Sequence, residues 1–329
     1  MGGSGKTASE LKLKAGLGPQ YYRIPAHLYQ EGEIIDQDLY LHYQGQYILY
    51  RPKNLTWKAA DRERLLEFNI DHLYIQCDTI AAHHSFLESN LSRILDQPKI
   101  ARKQKTLVLY ETSQAIISDI FEKPNSPDTV RRSVGFVKNS VDFLKDQDNF
   151  HQFMRLATSN FSEYTHAIQV SAYAIALARE VGMKSFNELS AIGVGSILHD
   201  IGKVKIDKRI IEKPGPLDED ERREMEKHPQ YGFEILQKQR TVPETAEQIV
   251  LQHHERPSGK GYPYHLGSDM ICSAKIVSIA DCFDSLTSDR PWEKKRSALE
   301  ALELMRKDYV DEYEANLLVA FIRVIGIKG

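Results

Sequence analysis

The chain has 329 residues, with 43 Lys and Arg against 46 Asp and Glu, and a formal net charge of −3. This length predicts about two domains, and 41% hydrophobic with 27% charged residues is ordinary for a globular protein. A charge so close to neutral gives no general attraction to nucleic acid polymers or anionic membranes. We expect no membrane span, because no run reaches ~18–20 apolar residues. The three cysteines (Cys77, Cys272, Cys282) form no paired motif, which predicts a reducing, cytoplasmic setting.

The first part of the chain mixes strand-like and helical patterns. Residues 40–43 and 47–50 are rich in Tyr, Leu and Ile and flank Gln44-Gly45-Gln46, which predicts a β-hairpin. Residues 72–75 predict a further strand. We therefore expect a small N-terminal α/β module.

A helix is predicted between the hairpin and the strand at 72–75. Thr56 is a candidate N-cap, and the apolar side is assigned to Leu65, Leu66 and Phe68. The pair His83-His84 follows in a helical context with no Asp/His cluster around it, so we interpret it as a surface helix cap.

From about Ala82 onward the pattern is helical. Two prolines and several turn formers interrupt it at residues 123–128. Ser185 with Glu188 predicts a capped helix start, and Pro229 suits the first turn of a later helix. The predicted fold class is α+β: a small α/β module, then an all-helical bundle. The predicted domains are a module with a helical extension (1–120), a linker and connecting helix (121–150) and a functional domain (151–329).

Side chains that bind metals recur on the predicted helices of the last domain. They comprise two adjacent pairs and three single residues: His199-Asp200, His253-His254, His166, His228 and Asp281. A single buried His or Asp is usually a hydrogen-bonded core residue, but burying this whole set costs too much desolvation unless the members share partners. Imidazole nitrogens suit Zn, Fe, Mn or Ni, and a carboxylate can bridge two ions. The set therefore predicts a metal centre.

These residues lie in a series of motifs that resembles the HD-GYP family, a branch of the HD phosphohydrolases. The likeness covers about residues 150–310, and the motifs occur in the family's order: His199-Asp200-Ile201-Gly202-Lys203, Lys213-Pro214-Gly215, His228-Pro229 with Gly232, His253-His254-Glu255-Arg256, Gly259, Gly261-Tyr262-Pro263, Ala280-Asp281, Asp284 and Leu286-Thr287-Ser288-Asp289-Arg290-Pro291. The N-terminal module resembles a small domain often found ahead of HD-GYP domains. The resemblance implies an HD-type bundle.

The family's metal ligands carry over residue by residue. The resemblance implies one ion held by His166, His199, Asp200 and Asp281, with Asp200 bridging to a second ion held by His228, His253 and His254. The implied cofactors are two divalent transition-metal ions, Fe or Mn first, with Zn or Ni as alternatives. Some members bind a third ion through a Glu at the position of Ser162, whose hydroxyl is a poor ligand, so we expect two.

The resemblance also implies how substrate is bound. Lys203, about one turn beyond His199 if the helix continues, is expected to direct its ammonium at the scissile phosphate. Arg290 resembles the family's phosphate-binding arginine. Tyr262, in the Gly261-Tyr262-Pro263 loop, either contacts substrate or packs under the loop, and Asp284 can orient a ligand histidine. Ser258 and Glu293 depart from the family's Asp and basic residue.

Three functions follow from this reading. The first is a cytoplasmic phosphodiesterase that hydrolyses cyclic di-GMP with a dinuclear metal centre. The second is a weak or inactive receptor that binds cyclic di-GMP and signals through the module or the Gly261-Tyr262-Pro263 loop, an alternative that Ser258 and Glu293 keep open. The third is an HD hydrolase for another phosphodiester. Protein partners are expected at that loop or at the module.

Overall fold

A computed structural model of the chain describes residues 20–158, 163–288, 295–307, 309 and 311–326. The chain divides into two compact units, one ending at Lys105 and the other beginning at Thr106. Within the described ranges, no helix combines the length and apolar character needed to cross a bilayer. A small sheet with helices precedes a long succession of helices, so the predicted α+β class is confirmed.

The first unit contains a four-stranded antiparallel sheet in the order β1-β4-β2-β3. Its strands are β1 (Gln20–Pro25), β2 (Leu39–Tyr43), β3 (Gln46–Arg51) and β4 (His72–Cys77). The predicted hairpin is β2–β3, and its turn residues Gln44 and Gly45 have φ of 48° and 80°, as a tight hairpin turn requires. Strand β4 confirms the prediction at 72–75, whereas β1 was not predicted.

Four helices accompany the sheet: α1 (Ala59–Glu67), α2 (Ile80–Ser89), α3 (Leu91–Asp96) and α4 (Arg102–Glu122), within which the two units divide. The predicted cap of α1 is wrong, because Lys58 occupies the N-cap and Thr56 pairs with Ile34 in an isolated β-bridge. Leu65 is buried, but Leu66 and Phe68 are 53% and 68% exposed. Only one stripe of this short helix meets the core.

His83 also differs from its predicted role. It lies inside α2, where Thr79 is the N-cap, and its side chain is buried. Its Nε2 is 3.1 Å from the carbonyl oxygen of Arg23, and its ring stacks on Tyr22 at 4.7 Å. His83 is therefore a core residue that ties α2 to β1, and the surface interpretation is wrong.

The second unit is built from helices. After α4 they are α5 (Pro127–Leu144), α6 (Gln147–Ala157), α7 (Glu163–Glu180), α8 (Phe186–Leu198), α9 (Lys208–Ile211), α10 (Glu219–Met225), α11 (His228–Gln239), α12 (Glu244–Gln252), α13 (Cys272–Thr287), α14 (Ala298–Lys307) and α15 (Ala315–Ile325). The described residues also include the 3₁₀ helices Ile201–Lys205 and Gly267–Asp269. The break predicted at 123–128 covers only residues 123–126, because Pro127 is the first residue of α5. Pro229 lies in the first turn of α11, as predicted.

Helix α8 lies at the centre of this unit. Ser185 caps its start by accepting a hydrogen bond from the amide of Glu188 (3.4 Å), as predicted. Every residue from Leu189 to Leu198 is buried, because α5, α7 and α12 all pack against the helix. A Cβ on Gly193 would lie 2.6 Å from Val137 Cγ1, so this glycine lets α5 approach closely. The end of α8 is thereby fixed deep in the unit.

Candidate metal centre and adjoining cavity

The end of α8 delivers two candidate ligands to the interior. His199 is the C-cap of α8, and Asp200 precedes the 3₁₀ helix Ile201–Lys205. A Cβ on Gly202 would lie 1.9 Å from the carbonyl oxygen of His228 and 2.5 Å from the amide nitrogen of Gly232. This backbone contact holds Asp200 beside the start of α11. The predicted place of His199 and Asp200 at the end of a helix is confirmed, and Lys203 lies in the 3₁₀ helix that follows rather than in a continuation of α8.

The structure brings all seven predicted ligands together in what we call the His/Asp cluster. They form two groups, and in each group one possible ligand atom per residue lies within 4.8 Å of the others: Asp200, His228, His253 and His254; and His166, His199 and Asp281. Five segments of the chain supply them, namely α7, the end of α8, α11, the end of α12, and α13. Each group can hold a metal ion.

Asp200 connects the two groups. Its Oδ2 lies 3.3 Å from His199 Nε2 and 3.9 Å from His166 Nε2. Its Oδ1 lies 3.4 Å from His228 Nε2, in the other group. The two oxygens of one carboxylate therefore face different groups, which is the arrangement a bridging ligand needs.

Backbone hydrogen bonds orient three of the histidines. The Nδ1 atoms of His199, His228 and His253 lie 2.7, 2.7 and 2.8 Å from the carbonyl oxygens of the residues three positions earlier. A carbonyl only accepts, so each Nδ1 carries the proton and each Nε2 presents a lone pair to the cluster. His166 is oriented differently, because its Nδ1 lies 2.7 Å from Asp284 Oδ2, in the orienting role considered for Asp284.

These orientations leave lone pairs facing each other. His228 Nε2 and His253 Nε2 are 3.2 Å apart, although neither has a proton to share. Within the described part of the chain, the buried atoms His199 Nε2 and Asp200 Oδ1 have no hydrogen-bond partner. Buried polar atoms rarely stay unsatisfied. Acceptors that converge without donors fit a cation, and the donor set of imidazoles and carboxylates suits a divalent transition metal.

The electrostatics divides the histidines into two kinds. Burial lowers the pKa of His228 to about 4, and burial with neighbouring imidazoles lowers the pKa of His253 and His254 well below the usual range. Burial also acts on His166, but hydrogen bonds to Asp281 and Asp284 outweigh it and raise its pKa to about 10. The Nε2 of His166 is 3.2 Å from Asp281 Oδ1. The proton that the raised pKa keeps on this nitrogen therefore lies between two candidate ligand atoms, where a metal ion would otherwise bind.

The carboxylates of the cluster are ionised. Burial opposes the charge of Asp200, but the ammonium of Lys203 helps to hold its pKa well below the usual range. Burial likewise opposes the charge of Asp281, and a hydrogen bond from His166 lowers its pKa in the same way. Lys203 Nζ contacts Asp200 Oδ2 at 2.6 Å. In this structure the lysine is thus directed at a cluster carboxylate.

A cavity of about 630 Å³ opens beside the cluster. His166, Asp200, His228 and His254 line one side of it together with Lys203. The rest of the lining is largely apolar and comes from α9, α10 and the segment between them: Ile210, Ile211, Pro216, Leu217 and Met225. Sequence reasoning did not identify this wall, since its residues are ordinary apolar positions around the Lys213-Pro214-Gly215 motif.

Tyr262 belongs to both the loop and the cavity. Its ring stacks on His254 with centroids 4.7 Å apart and lines the cavity. Its amide donates to the carbonyl oxygen of His254 at 3.1 Å. The structure thus combines the two roles considered for Tyr262, packing and facing the space that a substrate would enter.

Glu255 has a role that sequence reasoning missed. It is completely buried, and its Oε1 and Oε2 accept hydrogen bonds from the amides of Tyr264 (2.6 Å) and Leu266 (2.9 Å). The neighbouring Arg256 instead contacts Glu312 at 3.4 Å. Glu255 therefore fixes the loop that carries Tyr262. The available signal in the sequence was a carboxylate placed directly between the pair His253-His254 and a glycine-rich loop.

We expect Glu255→Gln to loosen this loop. The amide has one acceptor oxygen where the carboxylate has two, so one buried amide loses its partner, at a cost of about 1–3 kcal/mol. Lys260 is exposed in the loop, so trypsin should cleave after it faster in the variant, as measured by mass spectrometry of the fragments. Glu63→Gln, at an exposed position of α1, is the control. Equal cleavage rates in wild type and Glu255→Gln would contradict this role.

Arg290, Glu293 and Ser162 lie outside the described residues, and their predicted roles stay predictions.

Comparison with known proteins identifies the family of the chain. The family model described as HD domain matches residues 151–317, so the chain belongs to the HD-domain family. A solved structure, Bd1817, "a HDG"Y"P protein" from Bdellovibrio bacteriovorus, has a TM-score of 0.65 at 20% identity and covers 93% of this chain and 100% of that chain. The likeness to it concerns the fold. The resemblance to HD-GYP proteins is confirmed at the level of family and fold, while the identity of the N-terminal module stays a prediction.

Characterised relatives match the same region. Cyclic di-GMP phosphodiesterase PA4108 of Pseudomonas aeruginosa is 34% identical over 57% of this chain and 45% of its own length. Cyclic di-GMP phosphodiesterase response regulator RpfG of Xanthomonas campestris is 39% identical over 63% and 49%. The 3'3'-cGAMP-specific phosphodiesterase 2 of Vibrio cholerae is 41% identical over 50% and 32%. The chain thus spans half or less of the length of these relatives.

Proposed function

We propose that this chain is a metal-dependent phosphodiesterase that hydrolyses cyclic di-GMP. The observation that carries the proposal is Asp200, whose two oxygens face two groups of metal-binding side chains at the edge of a cavity of about 630 Å³. The names of the relatives support the same reaction class. A buried set of this size without a cation would leave several acceptors facing each other.

We assign the ligands of two ions as the resemblance implied. His166, His199 and Asp281 would hold one ion, His228, His253 and His254 would hold the other, and Asp200 would contribute to both. Fe or Mn is our first assignment, with Zn or Ni as alternatives. When bound, such a pair lowers the pKa of a coordinated water and stabilises negative charge on phosphoryl oxygens. The unsatisfied His199 Nε2 and Asp200 Oδ1 support this fit.

The chain's other residues bind and orient the substrate. Lys203 carries its ammonium at the cavity edge and is assigned to a phosphate oxygen, as is Arg290. The apolar wall near Ile210 and Met225 excludes water from one side of the cavity and offers a surface for a nucleobase. Tyr262 holds His254 by stacking and closes the cavity on the loop side.

The N-terminal region has a different assignment. We propose that residues 1–120 regulate the functional domain and contribute no metal ligand, with residues 121–150 as the connection. All seven residues of the His/Asp cluster come from the second unit, which supports the separation. A cytoplasmic location, and protein partners at the loop or the module, stay predictions; the three cysteines are unpaired, in keeping with a reducing setting.

The proposal is tested by incubating the full chain, loaded separately with Fe, Mn, Zn or Ni, with cyclic di-GMP and separating the products. We expect hydrolysis with Fe or Mn, to a linear dinucleotide or mononucleotides. A parallel reaction with 3'3'-cGAMP decides between the substrates named for the relatives. Binding of cyclic di-GMP without turnover under any metal would establish the receptor function instead.

A further inference from the structure

The first unit contains a second cavity, of about 300 Å³, which we call the basic pocket. Besides Tyr29, whose hydroxyl donates to Asp36, six polar side chains from segments far apart in the chain line it: His27, Gln30, Glu31, Arg62, Gln97 and Lys99. His27 follows β1, Arg62 lies on α1, and Lys99 lies between α3 and α4. The fold therefore brings two cations and an imidazole to one concave surface that belongs to none of the motifs discussed above.

The cations of the basic pocket form no ion pair with a carboxylate in the part of the unit that the structure describes. Arg51 and Arg93 of the same unit pair with Asp61 and Glu33. Among the described residues, by contrast, no carboxylate forms an ion pair with Arg62 or Lys99. These two side chains are therefore available to an anionic ligand.

The imidazole of His27 adds an unsatisfied atom. Its Nδ1 is buried and, in the described part of the chain, makes no hydrogen bond. Burial lowers the pKa of His27, and the charges of Lys99 and Arg62 lower it further, with Asp71 acting in the opposite direction. His27 is thus neutral at neutral pH, so its imidazole adds no charge to that of the two cations.

We propose that the basic pocket binds a small molecule carrying a phosphate monoester. Such a group has a charge of about −1.5 to −2 at pH 7, which complements Arg62 and Lys99. A guanidinium fork matches phosphate oxygens. A volume of about 300 Å³ is at the lower end for small-molecule sites, so it admits an organic group beside the phosphate. Glu31 is the acidic side chain of the lining and opposes such a ligand.

The proposal is tested by calorimetric titration of the full-length protein with inorganic phosphate and with uridine monophosphate; uridine is the phosphate-free probe. We expect both phosphates to bind and uridine not to bind. Arg62→Gln should weaken binding about tenfold or more, the scale of a lost charged hydrogen bond. Lys99→Gln should also weaken it, and Glu31→Gln should tighten it, because a repulsion is removed.

Arg64→Gln is the matched control, because it removes the same charge from the same helix at a position about 200° around from Arg62. It should bind as wild type does. If wild type binds neither phosphate, or if Arg62→Gln and Lys99→Gln both bind as tightly as wild type, the basic pocket is not a phosphate site. Should Arg62→Gln fail to fold, Lys99→Gln decides alone, since Lys99 is exposed. These outcomes do not depend on phosphodiesterase activity.

Discussion

Asp200→Asn should lower the turnover of cyclic di-GMP by about 10³-fold or more while the fold persists. Asn keeps the shape of Asp but replaces one oxygen with a donor, and it removes a charge that faces both groups of ligands. Losing one group that stabilises transition-state charge typically costs about 10²–10³-fold, and here the metals weaken too. Metal content by mass spectrometry and turnover on the same sample measure the two effects.

The control for this variant is Asp220→Asn, whose side chain is 88% exposed on α10. It should keep both metal and activity. Lys203→Ala should keep its metals, because it removes from Asp200 a cation that competes with metal. It should still lose turnover, because the ammonium assigned to a phosphate oxygen is gone. An Asp200→Asn variant as active as wild type would show that the proposed mechanism is wrong.

Gly202→Ala should destabilise the second unit by about 3 kcal/mol, the upper part of the usual range for overpacking. The new Cβ would lie 1.9 Å from the carbonyl oxygen of His228, so backbone must move where Asp200 meets α11. Metal content should fall in the same variant, since Asp200 and His228 then separate. Urea unfolding with and without metal measures both losses.

Gly135→Ala provides the comparison, because this glycine lies in α5 with nothing within 4 Å of the added Cβ. Alanine in a helix is favoured over glycine by about 0.5–1 kcal/mol, so this variant should be slightly more stable than wild type. If Gly202→Ala unfolded at the same urea concentration as wild type, the close contact between the 3₁₀ helix and α11 would not exist in solution.

Residue type and order in the sequence were sufficient to predict a helical second unit and to pick out the seven residues of the His/Asp cluster. Some features depend only on neighbouring residues, so a local sequence pattern predicts them. These are the turn at Gln44 and Gly45, the helix cap at Ser185 and the break at the prolines around residue 125. His83 and Phe68 were misread because their burial depends on contacts with distant strands and with the core, which no neighbouring residue encodes.

The geometry of the cluster could not be predicted from the sequence, for a related reason. The turn after Leu198, which places Lys203 on Asp200, follows from the close approach of Gly202 to α11. The carboxylate of Glu255 is buried because two amides of a loop, nine and eleven residues further on, converge on it. Both features depend on contacts between backbone segments that are separated in the sequence and adjacent in the folded protein.

The five segments that form the His/Asp cluster are spread between residues 166 and 281, so its members are far apart in an unfolded chain. An ion held by several of them closes long loops, as a covalent cross-link does. It also binds the folded state alone, and its binding free energy then adds to folding. A chelator should therefore act on this protein much as a reductant acts on a disulfide-bonded one, releasing α7, α11 and α13 from one another without breaking any bond of the chain.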